Sequence, residues 1–376
     1  MHGAPQPSLP PLAIEDLLAR LAHVLSGLGD FGDVSVDDLE PLPTTGLAHD
    51  HVRLRGRNLL ARVPKQSQMA LDAEANLIYQ TACFTRATPS DHTPRLHAVL
   101  PTCDELPMGA LIVDEIAGAA LPLPDHIDAL AQSLAALHTL PVPDDDGRAP
   151  LKNPQNALAD TFGEVLEQSA FIGAAGLDYD AEYQIREELM AAGNLLSRPD
   201  KPAVSLIAFD AHPGNFLLAP DGRAILVDLE KARYGIAAFD LAHATLYTST
   251  TWDVATYAEL TPDQVADFYA TWLSAVSDPL AESVRPWLLD LRRMMWLWSV
   301  TWCAKWRVRS QAVAQAKHHH DGGSTEDWSS ELSDPALVTH VADRVDHYLD
   351  PATIERVRDD WCSDNAMTAL LGDNTD

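Results

Sequence analysis

Residues 207–242 read IAFDAHPGNFLLAPDGRAILVDLEKARYGIAAFDLA. Asp210 and Asn215 stand five apart across a Pro-Gly turn. An apolar run, a turn at Pro220-Asp221-Gly222 and a second apolar run then bring Asp228 back toward them. Three oxygen-bearing side chains thereby converge at one end of a hairpin. Magnesium prefers hard oxygen ligands and keeps part of its water shell, so one carboxylate, one amide oxygen and substrate phosphates suit it. The remaining carboxylate, Asp210, is left to accept a proton from an attacking hydroxyl. A chance Asx turn around Pro-Gly is the alternative. It weakens once Asp228 and Asp240-Leu241-Ala242 are weighed together with the pair.

Upstream, apolar residues from Leu12 to Leu28 recur at helical spacing, and Gly27, Gly29 and Gly32 end that helix. Short extended pieces follow (LEPLPTTG, HVRLRG, NLLARVP), then a helix over 69–80 and two further strands at 95–100 and 109–116. From there the pattern turns helical, with segments at 124–140, 155–170 and 180–197, strand-like runs at 204–209 and 224–227, and helices beyond Leu241. This order predicts an α+β protein of two lobes. Residues 1–116 form a small antiparallel-sheet lobe with its leading helix, and residues 117–376 a larger, mostly helical one. A cleft between lobes is a favoured place for a small-molecule site.

Composition narrows the function classes. The chain of 376 residues fits about two packed units. No apolar run approaches the roughly 20 residues of a membrane helix, and the start MHGAPQPSLPP lacks a basic, then apolar, export signal. A cytoplasmic location without membrane partners is therefore expected. The cysteines (Cys83, Cys103, Cys303, Cys362) form no CxxC pair, which argues against a zinc ribbon or a disulfide framework. The net charge of −29 repels phosphate backbones, so nucleic acid is not expected as a partner. That charge favours a cationic small-molecule acceptor, although solubility or adaptation to salt accounts for it as well.

The pattern Asp-x-His-Pro-Gly-Asn, an apolar strand ending in Asp-x-Glu, then Gly and Asp-Leu-Ala resembles the aminoglycoside phosphotransferase and choline kinase family, relatives of the protein kinases. The resemblance implies a bilobal protein-kinase-like fold. It also implies transfer of the γ-phosphate of ATP or GTP to a hydroxyl of a small acceptor: an aminoglycoside, amino sugar, nucleoside antibiotic or amino alcohol. Asp210 would be the catalytic base, Asn215 and Asp228 the Mg2+ ligands, Glu230 a residue of the cleft edge, and Asp240 a brace for the catalytic loop. Thr44-Thr45-Gly46-Leu47 resembles a degenerate phosphate-covering turn, placing Thr45 and Gly46 at the nucleotide. Arg62, or less well Lys65, would reach the phosphates, with Glu74 as its ion-pair partner. Asp114-Glu115-Ile116-Ala117-Gly118 resembles the hinge, where the backbone at Asp114 and Ile116 would read the purine edge.

Two departures stand out. The usual His-Gly before the catalytic Asp is Ala208-Phe209, and the Asp-Pro that commonly follows the later Gly is Ile236-Ala237. The first makes a nucleotide-binding pseudokinase or scaffold the rival reading; retention of Asp210, Asn215 and Asp228 together opposes it. A metal-dependent hydrolase lacks a second histidine or carboxylate cluster at ligand spacing. Leu291, Met295, Trp298, Trp302 and Trp306 share one helical face, more consistent with a core stripe than with an aromatic wall for the acceptor. Asp253, Glu259 and Asp263 are acidic candidates for meeting a cationic acceptor, and the run Lys317-His318-His319-His320 reads as a surface loop.

Overall fold

A computed structural model of the chain describes residues 14–43, 48–315 and 335–372. The turn containing Thr45 and Gly46 and the histidine run after Lys317 lie outside the described residues. Helix α1 (Ile14–Ser26) turns Leu17, Leu21 and Leu25 onto one buried face, as spacing of about four residues requires. Five strands follow: β1 (Leu39–Pro41), β2 (His49–Leu54), β3 (Leu59–Pro64), β4 (Leu96–Leu100) and β5 (Ala110–Asp114). They pair antiparallel in the order β1-β2-β3-β5-β4.

The period of two along these strands gives the sheet two different faces. Val52, Leu54, Ala61, Val63, Ala110 and Ile112 pack beneath α1 in a core of their own. Leu111 and Val113 point the other way and join the main core, together with α2 (Ala73–Ala87), which enters between β3 and β4. Arg62 lies between Ala61 and Val63 on β3, so it too faces away from α1, toward the large lobe.

Helix α2 begins and ends later than the 69–80 expected from sequence. Ser67 Oγ accepts from the amides of Met69 and Leu71 in a tight turn, and Ala70 has a left-handed φ of 53°. Helical backbone starts only after the Asp72 carboxylate caps the amide of Ala75. This delay rotates the buried face by several residues, with consequences at the site.

The chain then makes β6 (Ala119–Ala120), α3 (Ile127–His138), α4 (Asp145–Arg148), α5 (Ala157–Ser169) and α6 (Tyr179–Leu195). Around the decisive segment, β7 (Ser205–Ile207) does not pair with the run at 224–226. It pairs with β10 (Arg233–Gly235), while β8 (Phe216–Leu218) lies between β9 (Ala224–Leu226) and β6. The strand β10, three residues long, was too short to show a period in the sequence. Helices α7 (Ala237–Thr245), α8 (Tyr247–Thr250), α9 (Pro262–Ala275), α10 (Asp278–Val284), α11 (Leu288–Gln315), α12 (Pro335–Tyr348), α13 (Pro351–Cys362) and α14 (Ala366–Gly372) complete the large lobe. Through its centre runs α11, with Leu291, Met294, Met295, Leu297 and Val300 fully buried against α5, α6 and α7. Among the described residues no helix is long and apolar enough to cross a membrane.

Gly109 marks a point where the fold tolerates no side chain. Its φ is +67°, and an added Cβ would lie 2.6 Å from Leu100 O and 2.7 Å from Leu77 Cδ2. Gly109→Ala should cost about 2 kcal/mol or more of stability, through backbone strain and overpacking combined. Urea unfolding checks this, and an unchanged midpoint would refute it.

Candidate active site

The site is held from behind by Asp240, which is completely buried in the first turn of α7. Its two carboxylate oxygens accept from the backbone amides of Ala208 at 2.7 Å and Phe209 at 2.8 Å. His138 Nε2 lies 3.0 Å from the same carboxylate, and His138 Nδ1 accepts from Trp272 Nε1 at 3.1 Å. Since the indole can only donate, the imidazole carries its proton on Nε2 and donates it to Asp240. The loop that starts at Asp210 is thus fixed before its functional side chains are considered.

The loop closes on itself. Asn215 Nδ2 donates to the backbone carbonyl of Asp210 at 2.8 Å, and Val227 N donates to Asn215 O at 2.9 Å. The sequence-predicted trio is thereby brought together, with Asp228 one residue beyond the strand partner of Asn215. A Cβ at Gly214 would lie 2.7 Å from Asp253 Oδ2 and 2.9 Å from His212 Cε1, so a side chain there would displace those two groups. Asp253 itself accepts from Ala255 N, and Glu259 pairs with Arg356, so these two acids serve local structure.

Arg62 reaches down from the sheet and binds the end of this hairpin, Nη1 to Val227 O at 2.9 Å and Nη2 to Asp228 Oδ1 at 3.0 Å. The expected pair between Arg62 and Glu74 does not form. Glu74 is exposed in the first turn of α2, whose buried side starts at Asn76 and Leu77. The late start of the helix explains this. Lys65 pairs with Asp50 at 3.4 Å instead of facing the site. Glu230 is not at the cleft edge: it is buried, 3.8 Å from His49 Nδ1. Burial, reinforced by the charge of Asp228, raises its carboxyl well above the usual range, and burial lowers His49 to about 3. Near neutral pH His49 is therefore uncharged. Burial alone would raise Asp228, but the Arg62 guanidinium holds it below its ordinary value, so it stays ionised.

At the hinge, the Asp114 carboxylate is taken by His97 at 2.6 Å and by the amide of Arg95. The side chain is therefore committed, leaving the backbone for recognition. The amide of Glu115 donates to Asn58 O, whereas the N–H of Ile116 makes no hydrogen bond among the described residues.

Beside Asp210 the structure shows groups that sequence reasoning missed. Lys231 Nζ lies 2.9 Å from Asp210 Oδ2 and His243 Nδ1 3.9 Å from Oδ1. Burial alone would raise the Asp210 carboxyl, but Lys231 and the two nearby histidines hold it below its ordinary value. Burial lowers His243 to about 4, so it is neutral at pH 7. A cavity of about 370 Å³ is bounded by Phe209, Trp298, Lys231, Arg233 and Glu164 among others, with Asp210 outside its wall. Trp298 therefore leaves the aromatic stripe to line the cavity, while Leu291, Met295 and Trp306 are core. Glu164 organises the wall: it accepts from Arg233 at 2.8 Å, Lys152 at 2.7 Å and Trp298 Nε1 at 3.0 Å. Nothing in a lone Glu in an amphipathic helix signals such a role.

Phe209 is the strained member. Its φ of 61° is left-handed, a conformation costly for a bulky residue. Its ring is clamped by the Arg233 guanidinium, 3.6 Å from the centroid, and by the edge of Trp298 at 5.7 Å. Phe209→Gly should be more stable than Phe209→Ala by about 1 kcal/mol, the reverse of an ordinary site, because only glycine relieves the backbone. Thermal unfolding of the two variants decides it.

Burial would raise Glu164, yet Arg233, Lys152 and Trp298 outweigh it and hold it at about 2. A carboxyl lowered on folding stabilises above its unfolded value and loses that contribution as pH falls toward the folded one. Glu164→Gln should therefore destabilise by on the order of 2 kcal/mol at pH 7, with the gap from the parent closing between about pH 4.5 and 2. A gap independent of pH in denaturant titrations would rule this out.

For a divalent ion, the hydrogen bonds above leave Asn215 Oδ1 and the second oxygen of Asp228 as donors. Among the described residues no three His, Cys, Asp or Glu side chains group to hold a metal. One carboxylate plus one amide oxygen fits magnesium, which takes its remaining ligands from water and phosphate.

The fold has counterparts among known proteins. The structure matches an ethanolamine kinase of Plasmodium vivax with a TM-score of 0.57 at 12% identity, covering 90% of this chain and 89% of that one. A choline/ethanolamine kinase family protein from Mesorhizobium loti gives 0.53 at 16%, covering 88% and 99%. Aminoglycoside 2'-phosphotransferase-IIIa, solved as a GDP complex, gives 0.54 at 14%, covering 88% and 98%. At these identities the likeness establishes the bilobal, protein-kinase-like fold. No curated protein matched the sequence. A family model described as the phosphotransferase enzyme family matches residues 46–287, and with more than half of its length so matched the chain belongs to that family.

Proposed function

We propose that this phosphotransferase is a small-molecule kinase in which Asp210 is the base, Asn215 and Asp228 hold Mg2+, and ATP or GTP is the donor. The observation that carries the reading is the closed loop in which the Asn215 amide binds the Asp210 backbone while Val227 binds Asn215. It sets a carboxylate for proton transfer beside two oxygens suited to a metal. Phosphoryl transfer asks a protein mainly for positioning and charge neutralisation.

In this reading, Ile116 presents its N–H to the purine, and a backbone group serves ATP and GTP alike. Arg62 fixes Asp228 and adds a positive charge beside the metal-binding end of the loop. Bound magnesium would neutralise charge on the β- and γ-phosphates. Asp210, kept ionised by Lys231, orients the acceptor hydroxyl and takes its proton. The named relatives act on ethanolamine, choline or aminoglycosides, and alcohol-bearing small molecules are the corresponding class here. A pseudokinase would have no need of an ionised Asp210.

Asp210→Ala should lower kcat by about 10²–10⁴-fold while nucleotide still binds. Full activity would exclude Asp210 as the base. Asp228→Asn, which keeps an oxygen for Arg62, should abolish the magnesium-dependent part of nucleotide binding; calorimetry with and without the metal measures it.

A further inference from the structure

Resting on the reading of Asp210 as the base, we propose that His243 binds the acceptor: its Nδ1–H and Asp210 Oδ1 together hold the oxygen that attacks the γ-phosphate. The two oxygens of Asp210 are not equivalent. Lys231 Nζ holds Oδ2 at 2.9 Å, while Oδ1 takes no hydrogen bond among the described residues. His243 Nδ1 stands 3.9 Å from that free oxygen, too far for a hydrogen bond between them. A single hydroxyl oxygen bridges such a gap. Two hydrogen bonds of about 2.8 Å would meet at it at roughly 90°, leaving a lone pair for phosphorus. The Asp210 side chain is 24% exposed, so an incoming molecule can reach it.

Helix α7 makes the placement. Asp240 and His243 are three residues apart in it and share a face. The first braces the loop through the amides of Ala208 and Phe209, and the second arrives beside the side chain of the residue that follows them. One helix thus fixes both the loop and the histidine that flanks its carboxylate. His243 is only 8% exposed, and its Nδ1 is buried without a hydrogen-bond partner. His212, with its ring centroid 6.1 Å away, does not supply the bond, since its own buried Nδ1 is unpartnered too. An orphaned buried nitrogen is destabilising, and leucine would fill the space without it. An entering hydroxyl supplies the missing partner.

Charge selects the tautomer. The Asp210 carboxylate faces Nδ1, which favours the N–H on that nitrogen. Carrying it, a neutral imidazole donates to the hydroxyl oxygen and does not compete for the hydroxyl proton. The acceptor oxygen bonds to the γ-phosphorus as the bond from that phosphorus to the β,γ-bridging oxygen breaks. The nucleoside diphosphate leaves with that electron pair, and the hydroxyl proton passes to Asp210 Oδ1.

Water, the smallest hydroxyl acceptor, is the probe. The full chain with magnesium and radiolabelled ATP or GTP is assayed for release of inorganic phosphate, with Asp210→Ala as background. Asparagine places an N–H donor near the position of imidazole Nδ1, and glutamine near that of Nε2. His243→Leu and His243→Gln should each lower kcat at least about tenfold with the nucleotide KM within about twofold, whereas His243→Asn should stay within about threefold of the parent. Packing alone would rank leucine level with asparagine or above it. Equal rates in the Asn and Gln variants, a parental rate in the Leu variant, or a loss that appears in the nucleotide KM would each overturn the assignment. NMR of the unaltered chain with labelled histidine adds a check that needs no active variant: His243 should carry its proton on Nδ1, and a proton on Nε2 would overturn the assignment as well. The kinase reading fails separately, through full hydrolysis by Asp210→Ala or none by the unaltered chain.

Discussion

A carboxylate sealed from water sets the conditions for everything around it. Asp240 must remain charged in a fully buried position, and it does so by accepting from two backbone amides and a neutral imidazole. A buried carboxylate left without such donors would cost several kcal/mol. The loop therefore has little choice: the amides of Ala208 and Phe209 must point at α7, and Asp210 is turned the opposite way. The left-handed backbone at Phe209 follows from this demand, since the segment bends sharply to deliver both amides to one side chain. Where a glycine would make the bend freely, the phenylalanine ring is held in place by Arg233 and Trp298 and becomes a wall of the cavity.

Charge is organised in layers around that loop. Closest to Asp210 are Lys231 and the uncharged His243. A second layer pairs Glu164 with Arg233 and Lys152. Beneath the sheet, Arg62 neutralises Asp228, burial and the Asp228 charge raise the Glu230 carboxyl, and His49 is uncharged. Each charge of these layers thus has an opposite neighbour, whereas Asp240 behind them is met by neutral donors alone. Net charge and site charge are separate quantities here, which is why the first says little about the second.

Much of this was legible in the residues. The alternation in β2, β3 and β5 announced a sheet, and Asp210, Asn215, Asp228 and Asp240 announced the loop and its brace. What stayed hidden has physical causes. The start of α2 depends on Ser67 capping a turn and on Ala70 adopting a positive φ, neither of which alanine-rich helical periodicity reveals. The error there rotated Glu74 toward the expected partner of Arg62, when it faces solvent. The resemblance put Glu230 at the cleft edge, whereas tertiary packing buries it beside His49. Glu164, Lys152 and Arg233 come from separate stretches of chain, so only folding brings them onto one cavity.

Helix α2 also governs how the molecule deforms. It belongs to the sheet by sequence but is packed into the large lobe through Leu77, Cys83 and Phe84, with the Tyr79 hydroxyl donating to Ala232 O at 2.8 Å. With Arg62 binding the end of the same hairpin, the inner half of the sheet travels with the helical body. On its other face the same sheet packs beneath α1, whose Leu17, Leu21 and Leu25 share a core with Ala61, Val63, Ala110 and Ile112, so β3 and β5 bind the leading helix and the helical body into one block.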